Sequence, residues 1–402
     1  MSDVSIIELR EYGDAAALDA LRRCLEPLGG MQAFVRPGQK VLLKPNLLSG
    51  FAPDRAVTTH PSVVRAAALL VREAGGVVAI GDSPAVGTLD KVLKRTGVAE
   101  VIEEVGAAVA DFEHTATFED AGNRVARRIE LAKAVADADV IITLPKLKTH
   151  VQMGFTGALK NQFGLILGAA KARCHFRFQD REWLAGLILE INRTAKPALA
   201  IMDAVVGMEG EGPSSGDPRA IGLLLASADL AAVDCLACHL IDLDPESLPL
   251  TRAAKRYGYG TTDLARIRVL GPDWKQFRVP DFKKVTQYIS ILRLLPMPDV
   301  LTRWMRRHIA PGPVIVADRC VKCEACAKGC PVQPPAIQPL EKPREQVDHH
   351  RCIRCYCCHE FCPVKAIELQ PTWLHRLFRL NHLTDWVTRN LADLILIGRR
   401  RR

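Results

Sequence analysis

Residues 320–363 carry one cysteine spacing twice. Cys320, Cys323, Cys326 and Cys330 follow C-x2-C-x2-C-x3-C, with Pro331 next. Cys352, Cys355, Cys358 and Cys362 repeat it 32 residues later, with Pro363 next. The likeness continues past the cysteines, as Pro-Val at 331–332 and 363–364 and Ala-Ile at 336–337 and 366–367. The first copy holds two extra residues, Pro334 and Pro335 among them. An internal duplication of this kind predicts two pseudo-symmetric halves.

The chemistry of the thiols follows from compartment and spacing. Met1–Asp14 shows no basic run followed by an apolar stretch, and no run of about eighteen apolar residues occurs, so neither a secretory signal nor a membrane span is expected. The expected location is the cytoplasm, where thiols stay reduced. Nine of the thirteen cysteines lie between 320 and 362, and clustered cysteines there point to metal rather than disulfides. Zinc sites usually use two cysteine pairs, not triplets with a C-P tail. Three cysteines at two-residue intervals on a tight loop can turn their sulfurs toward one iron–sulfur cube.

Across about 318–370 the chain resembles the bacterial two-cluster ferredoxins. In those proteins the fourth cysteine of each run ligates the other cluster. The resemblance therefore implies two 4Fe-4S clusters, one on Cys320, Cys323, Cys326 and Cys362, the other on Cys352, Cys355, Cys358 and Cys330. Cys357 reads as an inert neighbour of Cys358. Main-chain N–H groups should point at the sulfurs, and Lys322, Lys328, Arg351 and Arg354 lie inside the motifs, where cations can raise the potential.

The charge is unevenly placed. The net +9 lies entirely in 301–402, since residues 1–300 carry 36 basic and 36 acidic groups. Within the basic part, 301–317 contributes +3, 318–370 only +1 and 371–402 +5. No nucleic-acid partner is expected for the main body.

The first 300 residues alternate strand-like and helix-like patterns. Apolar runs at 4–9, 40–44, 77–80, 139–144, 198–202 and 221–225 are continuous, as in strands covered on both faces. Helical periods lie between several of them, as at Ala15–Leu28, Pro61–Ala74 and Glu182–Arg193. This predicts an α/β domain, a mostly parallel sheet with flanking helices, followed by a small α+β two-cluster ferredoxin-like domain. Polar residues follow the strands: Lys44 and Asn46, Asp82, the stretch Pro145–His150, and Asp203. At the carboxyl ends of parallel strands such residues can converge on a ligand crevice. Lys44, Lys146, Lys148 and Lys160 suit a small anionic ligand, while Asp82, Asp203 and His150 can handle protons or a metal. No G-x-G-x-x-G or Walker A pattern follows a strand. Cys235 and Cys238, one turn apart in an apolar stretch, read as core packing.

In this region the chain also resembles the family of the domain of unknown function numbered 362, which is often fused to ferredoxin modules. The resemblance covers roughly 38–271 through VLLKPNLL (41–48), VTTHPSVV (57–64), GDSP (81–84), LPKLKTH (144–150), TGALKNQFG (156–164), MDAVVGMEGEGPSSGDP (202–218) and ASADLAAVD (226–234). It implies the fold and the fusion, and no reaction.

The expected organisation is an α/β domain at 1–272, a Pro-rich linker with short helices at 273–317, the cysteine module at 318–370, and a basic amphipathic helix and tail at 371–402. Helical spacing runs from Trp373 to Ile397, with Arg376, Arg379, His382 and Arg389 on another side. The reading adopted packs that helix on the protein with its charges solvated; the alternative is peripheral contact with an anionic membrane. The expected function is electron transfer through the two clusters, to or from a redox protein partner or a ligand of the α/β domain. One alternative is a reductase acting on a small anionic substrate, with Lys146, Lys148, His150 and Lys160 as catalytic candidates and Lys44, Asn46, Asp82, Asn161 and Asp203 as ligand-binding candidates. The other is a cluster scaffold or assembly factor.

Overall fold

The computed structural model describes residues 1–285, 308–339 and 346–372. The chain divides into two compact units, Met1–Val285 and Thr286–Arg402. The amphipathic pieces expected at 286–307 and the helix expected from Trp373 to Ile397 lie outside the described residues. Among the described residues no helix is long and apolar enough to cross a membrane.

The strands of the first unit are β1 (Ser2–Glu8), β2 (Lys40–Pro45), β3 (Val77–Ile80), β4 (Ala108–Val109), β5 (Thr115–Glu119), β6 (Arg128–Ala132), β7 (Val140–Leu144), β8 (Lys146–His150), β9 (Gly154–Thr156), β10 (Leu199–Glu209), β11 (Asp217–Ser227) and β12 (Ile267–Leu270). Ten of them form one sheet in the order β12-β1-β11-β10-β7-β2-β3-β4, with β8 and β9 branching from β10. The pairings are mostly parallel; β11 runs antiparallel to both neighbours, and β9 to β8. β5 and β6 make a separate antiparallel ribbon.

Side chains alternate between the sheet's two faces, and both faces are covered. On β2, Val41 and Leu43 enter one apolar core while Leu42 enters the other. On β10, Leu199 and Ile201 go one way, Ala200 and Met202 the other. A strand buried on both sides needs apolar residues at every position, which explains the continuous runs. Helices Asp14–Leu25 and Pro61–Glu73 cover one face; Arg181–Ala195 and Leu230–Leu240 cover the other. Their starts follow local chemistry. Asp180 and Asp229 accept from the first free N–H groups of their helices, and His60 does the same before Pro61. Cys235 and Cys238 are buried in the helix at 230–240.

Two differences from expectation follow from tertiary contacts. The α/β unit runs to Val285, past the expected boundary at 272, because Phe282 is buried in its core. The segment Lys146–His150, expected as polar residues following a strand, is itself the strand β8. Pro145 cannot donate to a ladder, so β7 stops before it and the chain resumes beside β10, where Lys146 faces Asp203.

The second unit repeats one motif. A short helix, Ala325–Lys328, follows the first cysteine loop, and Cys357–Phe361 follows the second. β13 (Gly312–Ile315) pairs antiparallel with β14 (Ile367–Gln370), so part of the expected linker belongs to this unit. Ile337 bridges Val347.

Candidate functional site

The thirteen cysteines are free thiols. In the second unit the two loops bring eight of them to two cavities. One is lined by Cys320, Cys323, Cys326 and Cys362. The other is lined by Cys330, Cys352, Cys355 and Cys358. Each cavity thus takes three sulfurs from one loop and the C-P cysteine of the other. Among the described residues no three His, Cys, Asp or Glu side chains close on a single metal ion. The sulfurs border voids instead.

The loops hold this shape through unusual backbone. Lys322 (φ +53°) and Glu324 (φ +61°) are left-handed, and so are Arg354 (+56°) and Tyr356 (+62°), each 32 residues later. Left-handed non-glycine residues cost roughly 1–3 kcal/mol each and persist where the surroundings dictate them. The result turns main-chain N–H groups onto sulfur. Ala336 N–H donates to Cys330 Sγ at 3.4 Å, and Ala366 N–H to Cys362 Sγ at 3.1 Å. The N–H groups of Ala327, Arg354 and Cys357 act likewise on Cys326, Cys352 and Cys355. The repeated Ala-Ile pairs supply two of these donors. Cys357 is buried, hydrogen-bonds with Cys355 and lines neither cavity.

Electrostatics oppose four bare thiolates at each void. Burial pushes the Cys326 thiol up to about 11, and Cys362 and Cys323 add to it. Cys358 is raised well above its ordinary value by burial and by Cys355 and Cys352. A positively charged metal core reverses both effects, since a coordinated thiol loses its proton outright.

In the α/β unit the strand-end residues form a buried polar network. Lys44 Nζ lies 2.8 Å from Asp82 Oδ1, an ion pair. Asp82 also accepts from Leu47 N–H at 2.8 Å and Ser83 N–H at 2.9 Å. Lys146 Nζ donates to Asp203 Oδ2 at 2.8 Å and to Tyr12 Oη at 2.7 Å. Tyr12 donates to Asp203 Oδ1 at 2.7 Å, and His60 N–H donates to Oδ2 at 2.9 Å. The His60 ring stacks on Tyr12 at 3.6 Å. Between the two ion pairs, Lys148 donates to Asn46 Oδ1, Asn46 to Asn161, and Asn161 to Thr143 Oγ1. A bulge after Ala204 brings Val206 N–H to Tyr12 Oη.

This corrects part of the expectation. Lys44 and Lys146 do not present unmatched charge to an anion, because Asp82 and Asp203 neutralise them. Burial still lowers both ammonium pKa values, against the pull of those carboxylates. Tyr12 and His60 were not singled out as site residues by sequence. Burial, then Asp203, raises the Tyr12 phenol, and burial holds His60 at about 4.

A second group lies around His150. Its Nδ1 accepts from the N–H groups of Gln152 (3.2 Å) and Met153 (3.4 Å), which puts the neutral ring's proton on Nε2. Burial lowers its pKa well below the ordinary value; Lys160, His175, Lys148 and Arg181 add to this. His175 meets Phe163 edge-on at 5.5 Å, and Lys160 Nζ lies 4.7 Å from the same ring's centre. Burial, with Lys160 and Lys171, takes His175 to about 3. The buried His175 Nδ1 and both side-chain amide atoms of Gln162 lack hydrogen-bond partners.

Residues 41–239 match the family described as Domain of unknown function (DUF362). A thylakoid-associated protein of Synechocystis, sll1697, is 40% identical over 265 residues, spanning 65% of this chain and 81% of that protein. Among solved structures, the lactate racemase apoprotein of Thermoanaerobacterium thermosaccharolyticum has a TM-score of 0.38 at 13% identity, over 59% of this chain and 56% of that one. A Thermotoga maritima protein has a TM-score of 0.33 at 17% identity, over 56% and 57%. The chain therefore spans less than two thirds of either solved structure. On the strength of the domain match and the identity to the Synechocystis protein, this chain belongs to the DUF362 family.

Proposed function

We propose that this chain is an iron–sulfur electron-transfer protein with two 4Fe-4S clusters in a ferredoxin-like second unit. The observation that carries the reading is the crossed lining of the two cavities, each by three loop cysteines and the C-P cysteine of the other loop. A zinc site closes four ligands on one ion at about 2.0–2.3 Å; four sulfurs set around a void, three from one loop and one from the other, fit a cluster better. Cys320, Cys323, Cys326 and Cys362 would hold one cluster, and Cys330, Cys352, Cys355 and Cys358 the other. Bound there, each would take up and release one electron at a time. The chain's own part is to supply thiolates, to stabilise them with the five N–H donors, and to exclude water with Ile315, Ile337 and Ile367. Anaerobic purification, iron and sulfide counting and low-temperature EPR of the reduced protein test this. Eight irons per chain are expected; zinc alone or a colourless protein overturns it. An apo-acceptor that strips the iron on mixing would move the reading to a cluster scaffold.

A second reading concerns the α/β unit, where the His150 group favours a small anionic ligand, a carboxylate or a phosphate ester. The charged and ring groups acting on His150 and His175 are cationic or imidazole, and Gln162 and His175 keep buried polar atoms without hydrogen-bond partners. A substrate reduced there would make the clusters its electron supply. Inorganic phosphate and short carboxylates should raise the thermal midpoint of wild type and not of Lys160→Ala; equal responses remove this reading.

The Synechocystis relative is named for thylakoid association, and residues 371–402 carry five net positive charges. Peripheral contact with an anionic membrane is part of the proposal. Sedimentation with phosphatidylserine vesicles, lost on deleting 371–402, tests it.

A further inference from the structure

The two cavities are lined at matching positions, yet they differ in cover. Val321, Cys323, Glu324 and Val364 line the first. Their mates in the duplication, Ile353, Cys355, Tyr356 and Val332, line the second. All four are exposed at the first cavity, Val321 by 62% and Val364 by 37%. None is exposed at the second, where Ile353 and Cys355 are half-buried and Val332 and Tyr356 are buried.

The cover of the second cavity comes from its own unit. Tyr356 Oη donates to the carbonyl of Pro311 at 3.2 Å, which ties the second cysteine loop to the approach of β13. Pro313 of β13 is buried and lines the cavity, as do the buried Ala336 and Ile337. At the first cavity the residue in the place of Tyr356 is Glu324. Its carboxylate turns to Lys328 at 3.4 Å, and both side chains stand in solvent. A phenol ring can fold inward and close a loop with its hydroxyl bonded. A carboxylate held in water leaves the same loop open.

We infer that electrons cross the surface of the second unit at the Cys320–Cys323–Cys326–Cys362 site, beside Val321, Cys323 and Val364, and that the Cys330–Cys352–Cys355–Cys358 site is the inner one. The inference rests on the cluster reading above. Transfer between two centres needs overlap of their orbitals, and overlap falls steeply with each ångström of protein between them. A protein partner resting on Val321 and Val364 meets Cys323 directly, because that side chain is itself exposed. At the second site it would have to act across Tyr356 and Val332, both buried. The two exposed valines also give up bound water at little cost when a partner covers them.

The test uses the full-length, anaerobically loaded protein, reduced with dithionite and freed of it by gel filtration. Cytochrome c, a basic protein, is the acceptor. One electron leaves a reduced site and converts ferric haem to ferrous, followed by absorbance in stopped flow. An acidic side chain where this acceptor lands speeds its arrival at low salt, and the gain fades at high salt. Val321→Glu should raise the low-salt rate by about twofold or more. Gln333→Glu places the same charge at an exposed position next to Val332 of the second site, and should raise it by less. Exposed substitutions of this kind disturb folding little, and iron counts on both variants check it. A gain at Gln333 equal to or larger than that at Val321, or no gain at either, overturns the inference. If either variant does not hold eight irons, single-site forms decide. Cys330→Ser, which keeps the first site, should then reduce cytochrome c faster than Cys362→Ser, which keeps the second; equal rates or the opposite order overturn it. A wild type without iron is a different result, seen before any rate is measured, and removes the cluster reading itself.

Discussion

Lys146 Nζ and Asp203 Oδ2 lie 2.8 Å apart with both side chains essentially buried, on neighbouring strands β8 and β10. Tyr12 and the His60 N–H satisfy further lone pairs of the same carboxylate. Removing one member of a buried pair leaves a charge with neither water nor partner and costs about 3–5 kcal/mol. Asp203→Asn should lower the unfolding free energy by that order in urea denaturation. A double change, Lys146→Met with Asp203→Leu, should recover most of it, because two apolar groups leave no ion unpaired. If the double variant is as unstable as the sum of the singles, the pair is not what holds β8 to β10.

Gly164 covers the other ion pair. A Cβ there would lie 2.2 Å from Asp82 Oδ1 and 2.7 Å from Lys44 Nζ. Neither atom can retreat, since both side chains are buried. Gly164→Ala should therefore destabilise by about 1–3 kcal/mol, the usual range for overpacking. Gly38→Ala is the comparison. It has open space around its Cβ and a positive φ, so its cost reads backbone strain alone. Thermal melts of both variants separate crowding from strain.

What was legible in the sequence was what is local. The doubled cysteine spacing is a short-range pattern, and the resemblance it carries to two-cluster ferredoxins implies the same two sets of sulfurs that line the two cavities. The apolar runs are legible because a strand covered on both faces admits few polar residues. Tyr12 was not legible as a site residue, because its partners lie 134 and 191 residues away. The strand β8 was hidden for a related reason. Its lysines read as candidates for a small anionic ligand until Lys146 is seen to donate to Asp203 and Lys148 to Asn46. Phe282, with Trp274, Phe277 and Val279 packed on the same core, carries the domain boundary past the prolines at 272 and 280.

Asp234 should give the α/β unit an unusual pH response. It is buried, and burial raises its carboxyl to about 7, against the N–H groups of Ala158 and Leu159 that hold it down. The unfolded chain titrates near 3.8, so between about 4 and 7 the folded state binds the extra proton. Stability from this group is then full below about 4 and lost as pH rises through 7. His175, held at about 3, works the other way and loses stability as pH falls below 6.5. Urea midpoints of wild type and Asp234→Asn from pH 4 to 8 isolate the first effect. Wild type should lose stability relative to the variant as pH rises. A constant difference across the range means that Asp234 is charged throughout.

Crossing of the cysteines makes a prediction that spacing within one loop does not. Cys330 follows Cys326 by four residues, yet it lines the cavity of Cys352, Cys355 and Cys358. If each cavity holds a cluster, Cys330→Ser should cost the second site and spare the first, taking iron from about eight to about four per chain. Adding Cys352→Ser should remove no more, since both serve one site. Adding Cys326→Ser instead should remove the remaining four. The mirror experiment uses Cys362, which lines the cavity of Cys320, Cys323 and Cys326. An uncrossed arrangement predicts the reverse pattern, with Cys330→Ser and Cys326→Ser as the redundant pair, so iron counts on these doubles decide between them.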